Sequence, residues 1–217
     1  MFFVIVFPQE YTAANDFATA ECIKCWLRLR HQLFPYIYTM NYRCHKDLSP
    51  LVQPMYYMYP KCEAAYHVPN QFWFGTELMV APITTPGDKI AHMGKVNVWM
   101  PDGEWFDFFT GMHYRGLDGR MITVCRPTTT MPVFAKAGAI VPLANYTDNC
   151  LCSSDDMEVL VFPGADNVFT LISKGIHSLQ SIQGQRCILD STPNTLRAHA
   201  RTHTQCTHMD TSPLQLC

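Results

Sequence analysis

The chain has 217 residues, 48% of them hydrophobic, with 16 Lys and Arg against 18 Asp and Glu. That apolar content is enough for a buried core and excludes disorder of the whole chain. The near balance of charge, with no basic stripe, removes electrostatic capture of nucleic acid or of an anionic membrane, and leaves an uncharged or small partner.

The first seven residues, Met1 to Phe7, are apolar but lack a basic n-region and meet Pro8, so a signal peptide is the weaker reading. No run approaches the ~20 residues of a membrane span, and the default is a soluble protein or a piece of one. From Asn15 to about Cys44 the apolar residues Phe17, Ile23, Trp26, Leu27, Leu33, Phe34, Ile37 and Tyr38 recur at helical intervals. Asn15 or Asp16 suits the N-cap. Pro35 removes a backbone donor, which predicts a kink or two abutting helices. Arg28, Arg30 and His31 read as the solvated side, with the holding of a neighbouring loop as the alternative. Cys22-Ile-Lys-Cys25 has redox or zinc-knuckle spacing, yet it lies within the helical pattern without a second cysteine pair at zinc-site distance, so the metal reading is the lesser one.

Leu51 to Pro60 is bracketed by prolines and rich in aromatics, and reads as a strand that Pro54 confines to an end or an edge. The stretch Asn70 to Ile83 is a joint, with a buried strand entered through Gly75 and closed by Pro82. Beyond it the period becomes two. Val96, Val98 and Met100 alternate with Lys95, Asn97 and Trp99, Pro101-Asp-Gly103 is a turn, and Glu104 to Thr110 is the next strand, a hairpin pattern. Short strands follow at Met121–Cys125, Met131–Phe134 and Ala137–Leu143, as in a β-sandwich. Met157–Phe162 and Asn167–Ile172, joined at Pro163-Gly164, read as one more hairpin. Cys150-Leu-Cys152 reads as loop. From Ser173 no period survives, and His203-Thr-Gln-Cys206-Thr-His208 is better taken as tail than as a metal cluster.

No nucleotide-binding glycine motif, nucleophile elbow or His-Glu-x-x-His pattern occurs. Asp102, Glu104 and Asp107 fall in and around a turn, where solvated acids are the normal filling. The signal lies instead in five ordered blocks: Arg30 to Thr39 around Pro35-Tyr-Ile-Tyr38, Gln53 to Tyr57, Asn70 to Ile83, Val98 to Gly111 and Met131 to Leu143. In this order and spacing they resemble the C-terminal part of glycoside hydrolase family 31, an α-glucosidase and α-xylosidase family, over roughly residues 22 to 172.

The resemblance implies a mainly β fold: a β-sandwich preceded by the last helix and strand of a (β/α)8 barrel, with a disordered C-terminal tail. The implied domains are 1–75 as the barrel remnant, 76–143 as the proximal sandwich, 144–172 as the start of a distal sandwich and 173–217 as an unstructured or aberrant tail. Retaining enzymes of this type use two Asp residues about 5 Å apart. Both belong to barrel strands upstream, and a full barrel needs about 250 residues. Trp105-Phe-Asp107 matches the letters of the nucleophile motif but sits in a sandwich block. The Arg and His that in the family bind substrate ahead of the Pro-Tyr-Ile-Tyr helix are also missing.

No catalytic, cofactor-binding or metal-ligating residue is therefore assigned, and no cofactor is expected. The partner is a carbohydrate substrate reached through the missing barrel, with no nucleic acid and no membrane. Gln53 departs from the family's common Arg, and Ile172-Ser-Lys-Gly175 departs from its acidic turn. Two other readings stay open. One is a non-catalytic carbohydrate-binding or interaction sandwich, with Trp99 and Trp105 as stacking candidates. The other is a chain that does not fold without its barrel.

Overall fold

The computed structural model describes residues 17–88, 90–91, 93–127, 129–144 and 156–172, and the backbone of strand segments 179–184, 196–201 and 209–210. Two helices come first, α1 at Phe17–Gln32 and α2 at Phe34–Asp47. Leu33 alone separates them, while Pro35 occupies the first turn of α2, where a missing N–H breaks no bond. The expected pair of abutting helices is what forms, and Asn15 and Asp16 lie outside the described residues. Leu29, Leu33, Tyr36 and Met40 are buried along one stripe. Arg28, Arg30 and His31 are exposed on the other side.

The expected strand at Leu51–Pro60 is shorter than read. Strand β1 spans only Val52–Pro54, and the chain then turns into a four-residue helix α3, Met55–Met58, and a 3-10 helix, Glu63–Tyr66. The reason is Pro54, which offers no N–H to a ladder and leaves β1 as an outer strand. There follow β2 at Phe72–Phe74, β3 at Leu78–Val80, β4 at Met93–Met100, β5 at Gly103–Asp107 and β6 at His113–Gly116. Next come β7 at Arg120–Pro127, β8 at Val133–Lys136, β9 at Ile140–Ala144, β10 at Asp156–Val161 and β11 at Asn167–Ile172. The described strands end with β12 at Leu179–Gly184, β13 at Leu196–Arg201 and β14 at Met209–Asp210.

The protein is mainly β, with a six-stranded sheet in the order β1-β2-β3-β8-β5-β6 at its centre. Alternation along these strands divides the interior in two. Phe74, Leu78, Val80, Phe106 and Ala135 face α1, α2 and strands β9 to β11, in one core. Trp73, Met79, Trp105 and Phe134 face the β4–β7 ribbon and the 55–66 turn, in the other. Phe106 and Phe134 are both fully buried, which for side chains of this size is worth about 3 kcal/mol each.

Neither expected hairpin forms. Strand β4 pairs along its whole length with β7, so β5 leaves at Pro101–Gly103 for the central sheet, where it pairs with β6 and β8. At this corner a Cβ on Gly116 would come 1.9 Å from the Pro101 carbonyl oxygen, so only glycine lets the two backbones cross. In the same way β10 is taken up between β9 and β13, and β11 pairs with β12. Alternation in the sequence marks a strand but not its partner, which is why both turns were misread. Within the expected tail, β12 pairs with β11, β13 with β10 and β14 with β13.

Candidate functional site

The joint supplies the densest polar chemistry in the described residues. At Gly75 the backbone takes φ 68°, and a Cβ there would lie 2.3 Å from the Tyr36 hydroxyl, which approaches because no side chain intervenes. That hydroxyl donates to the Phe74 carbonyl at 2.7 Å and accepts from the Glu77 N–H at 3.2 Å. Burial, with the nearby Glu77 charge adding to it, holds the Tyr36 phenol far above the ordinary tyrosine range. The ring stays neutral and acts as a fixed bolt.

Glu77 is 4% exposed and binds in several directions. Its Oε1 accepts from the Thr76 hydroxyl at 2.8 Å and lies 3.8 Å from Lys136 Nζ; its Oε2 accepts from Asn167 Nδ2 at 3.1 Å and from the Ile140 N–H at 3.3 Å. Arg43 of α2 donates to the Thr76 hydroxyl and to the Thr170 carbonyl, with its guanidinium 4.8 Å from the Phe169 ring centre. Thr39 Oγ1 accepts from the Ile172 N–H at 3.1 Å. One carboxylate therefore links helix α2, the central sheet, β9 and β11. A buried acid bonded on both oxygens to its own framework is tied into the fold on every side.

On the opposite face Gln71 performs a comparable task without charge. Its amide accepts from the Trp99 N–H at 2.9 Å and donates to the Trp99 carbonyl at 2.7 Å, replacing a strand at the end of β4. Asp107 is fully buried, which corrects the expectation of a solvated acid. Its Oδ1 accepts from the Phe109 and Thr110 N–H groups, and Oδ2 accepts from Arg126. The Asx turn closing β5 needs that acceptor. Asp102 is exposed, and Glu104 pairs with Arg115 at 3.0 Å with His113 Nε2 4.0 Å away.

Trp99 and Trp105 are each 2% exposed, so neither offers a face to a sugar; Trp105 Nε1 donates inward to the Pro101 carbonyl. Cys22 and Cys25 are half-buried, and burial pushes the Cys22 thiol up. Among the described residues no three His, Cys, Asp or Glu side chains form a group fit to hold a metal, and no helix is long and apolar enough to cross a membrane. Cys150, Cys152 and His203 to His208 lie outside the described residues. Gln53 is buried and donates to Ser49 Oγ and the Pro50 carbonyl, so it finds partners within its own loop. The sequence reading missed Tyr36, Gln71 and Glu77. A lone acid between Gly75 and the apolar run Leu78 to Ala81 was the available signal.

The class of protein follows from comparison. Residues 48–141 match the family model described as the glycosyl hydrolase family 31 C-terminal domain. Over this stretch the chain is similar to the C-terminal domain of that family. It is 29% identical over 167 residues to an alpha-xylosidase of Saccharolobus solfataricus, covering 76% of this chain and 21% of the relative. It is 30% identical over 123 residues to alpha-glucosidase 2 of Bacillus thermoamyloliquefaciens, covering 57% and 15%. The solved family 31 alpha-xylosidase of Xanthomonas citri matches with a TM-score of 0.64 at 30% identity, over 73% of this chain and 17% of that one. The chain thus spans about a fifth or less of the length of these relatives.

Proposed function

We propose that the chain is the C-terminal part of a retaining glycoside hydrolase acting on α-linked glucosides or xylosides, and that it is catalytically incomplete alone. In this reading residues up to 75, including α1 and α2, end the catalytic barrel, residues 76–143 are the proximal sandwich and 144–172 begin the distal one. The carbohydrate substrate is met by barrel residues upstream, no cofactor takes part, and neither nucleic acid nor a membrane is a partner. The observation that carries the reading is the match of residues 48–141 to the C-terminal domain, together with a span of 21% or less of relatives named for these activities. The commitments of Glu77 and Asp107 support it. Each acid is buried and hydrogen-bonded to backbone amides on its own framework, an arrangement that braces a fold, whereas a retaining pair faces one sugar across about 5 Å.

The part played by this chain is mechanical. Tyr36, Glu77 and Arg43 fix the angle at which α2, and with it the end of the barrel, meets the β layers. The test is release of p-nitrophenol from the α-glucoside and α-xyloside by the purified chain, beside a full-length relative. The expected result is no release above the no-enzyme rate. Turnover by the chain alone, abolished by Asp107→Asn or Glu77→Gln, overturns the reading.

A further inference from the structure

Two cysteines of α1 stand together on its inward stripe. Cys22, Cys25, Trp26 and Leu29 occupy positions i, i+3, i+4 and i+7, whereas Lys24 and Arg28 between them are exposed. Leu29 is buried, and Trp26 packs against the core, meeting Phe109 edge to face with ring centres 5.6 Å apart. The Cys22 thiol feels the charge of Cys25, and a hydrogen bond from Trp26 favours its ionised form, so the indole N–H donates to that sulfur. The groove that Trp26 and Leu29 line with Phe108 and Phe109 has only apolar walls. The pair is thus two sulfurs on one helical turn, beside a donor and away from bulk water.

Spacing and donor type select the occupant. Side chains three apart on a helix have Cβ atoms about 5–6 Å apart. A disulfide needs about 3.5–4.5 Å, so a direct bond between the sulfurs requires the turn to unwind. An ion between them does not, because metal–thiolate bonds of about 2.3 Å hold two sulfurs about 4.6 Å apart across one centre. Zinc completes a tetrahedron of four ligands, and among the described residues no group of three His, Cys, Asp or Glu side chains is placed to begin one. Hard cations take oxygen ligands, yet Glu21, one residue before Cys22, is engaged by Lys24 Nζ at 2.6 Å. A soft closed-shell ion satisfied by two thiolates is what remains, the class of monovalent copper. We propose that Cys22 and Cys25 bind one soft monovalent cation of the copper class as a two-coordinate bridge across a turn of α1. Each thiol loses its proton to solvent, each sulfur forms one bond to the ion, and the metal keeps its oxidation state. The bis-thiolate complex carries one negative charge, which the Trp26 N–H is placed to meet. The ion has no role in hydrolysis, and the site stands independently of the function proposed above.

The test is competition for monovalent copper between the 217-residue chain and bicinchoninate, without oxygen and with ascorbate present, read as loss of the coloured bicinchoninate complex. Because the chain holds 10 cysteines, variants assign the binding. Cys22→Ser and Cys25→Ser should each weaken uptake of the first equivalent by roughly tenfold or more, since the second sulfur of a bridge acts at high effective concentration. The double variant should match the weaker single variant, and Cys44→Ser/Cys62→Ser should bind like the unaltered chain. X-ray absorption at one equivalent should show two sulfur neighbours and no other ligand. Matching circular dichroism certifies that the variants are folded. Unchanged affinity in either single variant, an equal loss in the Cys44/Cys62 variant, or a third ligand on the metal overturns the site.

Discussion

The two faces of the central sheet are both buried, yet they are fastened by different chemistry. On the α2 face a charged hub, Glu77 with Tyr36 and Arg43 around it, ties together segments as far apart in sequence as residues 36 and 167. On the ribbon face the work is done by large rings and methionines, Trp73, Met79, Trp99, Trp105 and Phe134, with one neutral amide, Gln71, at the seam. Apolar packing tolerates small slips, whereas a buried carboxylate needs every partner in place. The α2 face is accordingly the one that sets a fixed angle between elements.

Removing the hub breaks this contrast with the largest effect. Glu77→Ala leaves the Ile140 N–H and the Asn167 amide without their acceptor and should cost about 3 kcal/mol, read as a lowered urea midpoint. On the other face Gln71→Ala strands the Trp99 N–H and carbonyl and should cost about 2 kcal/mol by the same measurement. If the Gln71 variant proves the more damaging, the asymmetry between the faces is wrong.

Alkaline titration sharpens the comparison without mutation. Tyr36 has a folded-state pKa raised above its unfolded value of about 10, so its contribution is intact below that pH and is lost as pH rises through and beyond it. Midpoints measured from pH 8 to 11 should fall above about pH 10, and Tyr36→Phe should flatten that fall. The smallest effect is expected at Leu48, an exposed residue at φ 55° that caps α2. Leu48→Gly relieves a left-handed conformation and should raise thermal stability by no more than about 1 kcal/mol.

What was legible in the sequence divides along physical lines. The helix break at Pro35, the joint at Gly75 and the strands β3, β4, β5 and β7 to β11 follow from local rules of backbone geometry and alternation, whereas β2 and β6 do not show in the alternation and β1 is shorter than it suggests. Strand partners were not legible. The pairings β4 with β7 and β10 with β9 and β13 are decided by which edges remain free once the layers stack. Burial of Asp107 was hidden for the same reason, whereas burial of Trp99 and Trp105 was the commoner reading of a tryptophan. A turn residue reads as solvated until a second layer covers it, as the ribbon face covers Trp105 and Arg126 meets Asp107.

The central claim is that α2 and the sheet form one cooperative unit joined at Glu77, and hydrogen exchange followed by mass spectrometry tests it most directly. Peptides from residues 34–47 should exchange as slowly as those from 72–80 and 133–144, and in Glu77→Ala the protection of 34–47 should fall first. Rapid exchange of 34–47 in the unaltered chain, beside a protected sheet, would contradict the account.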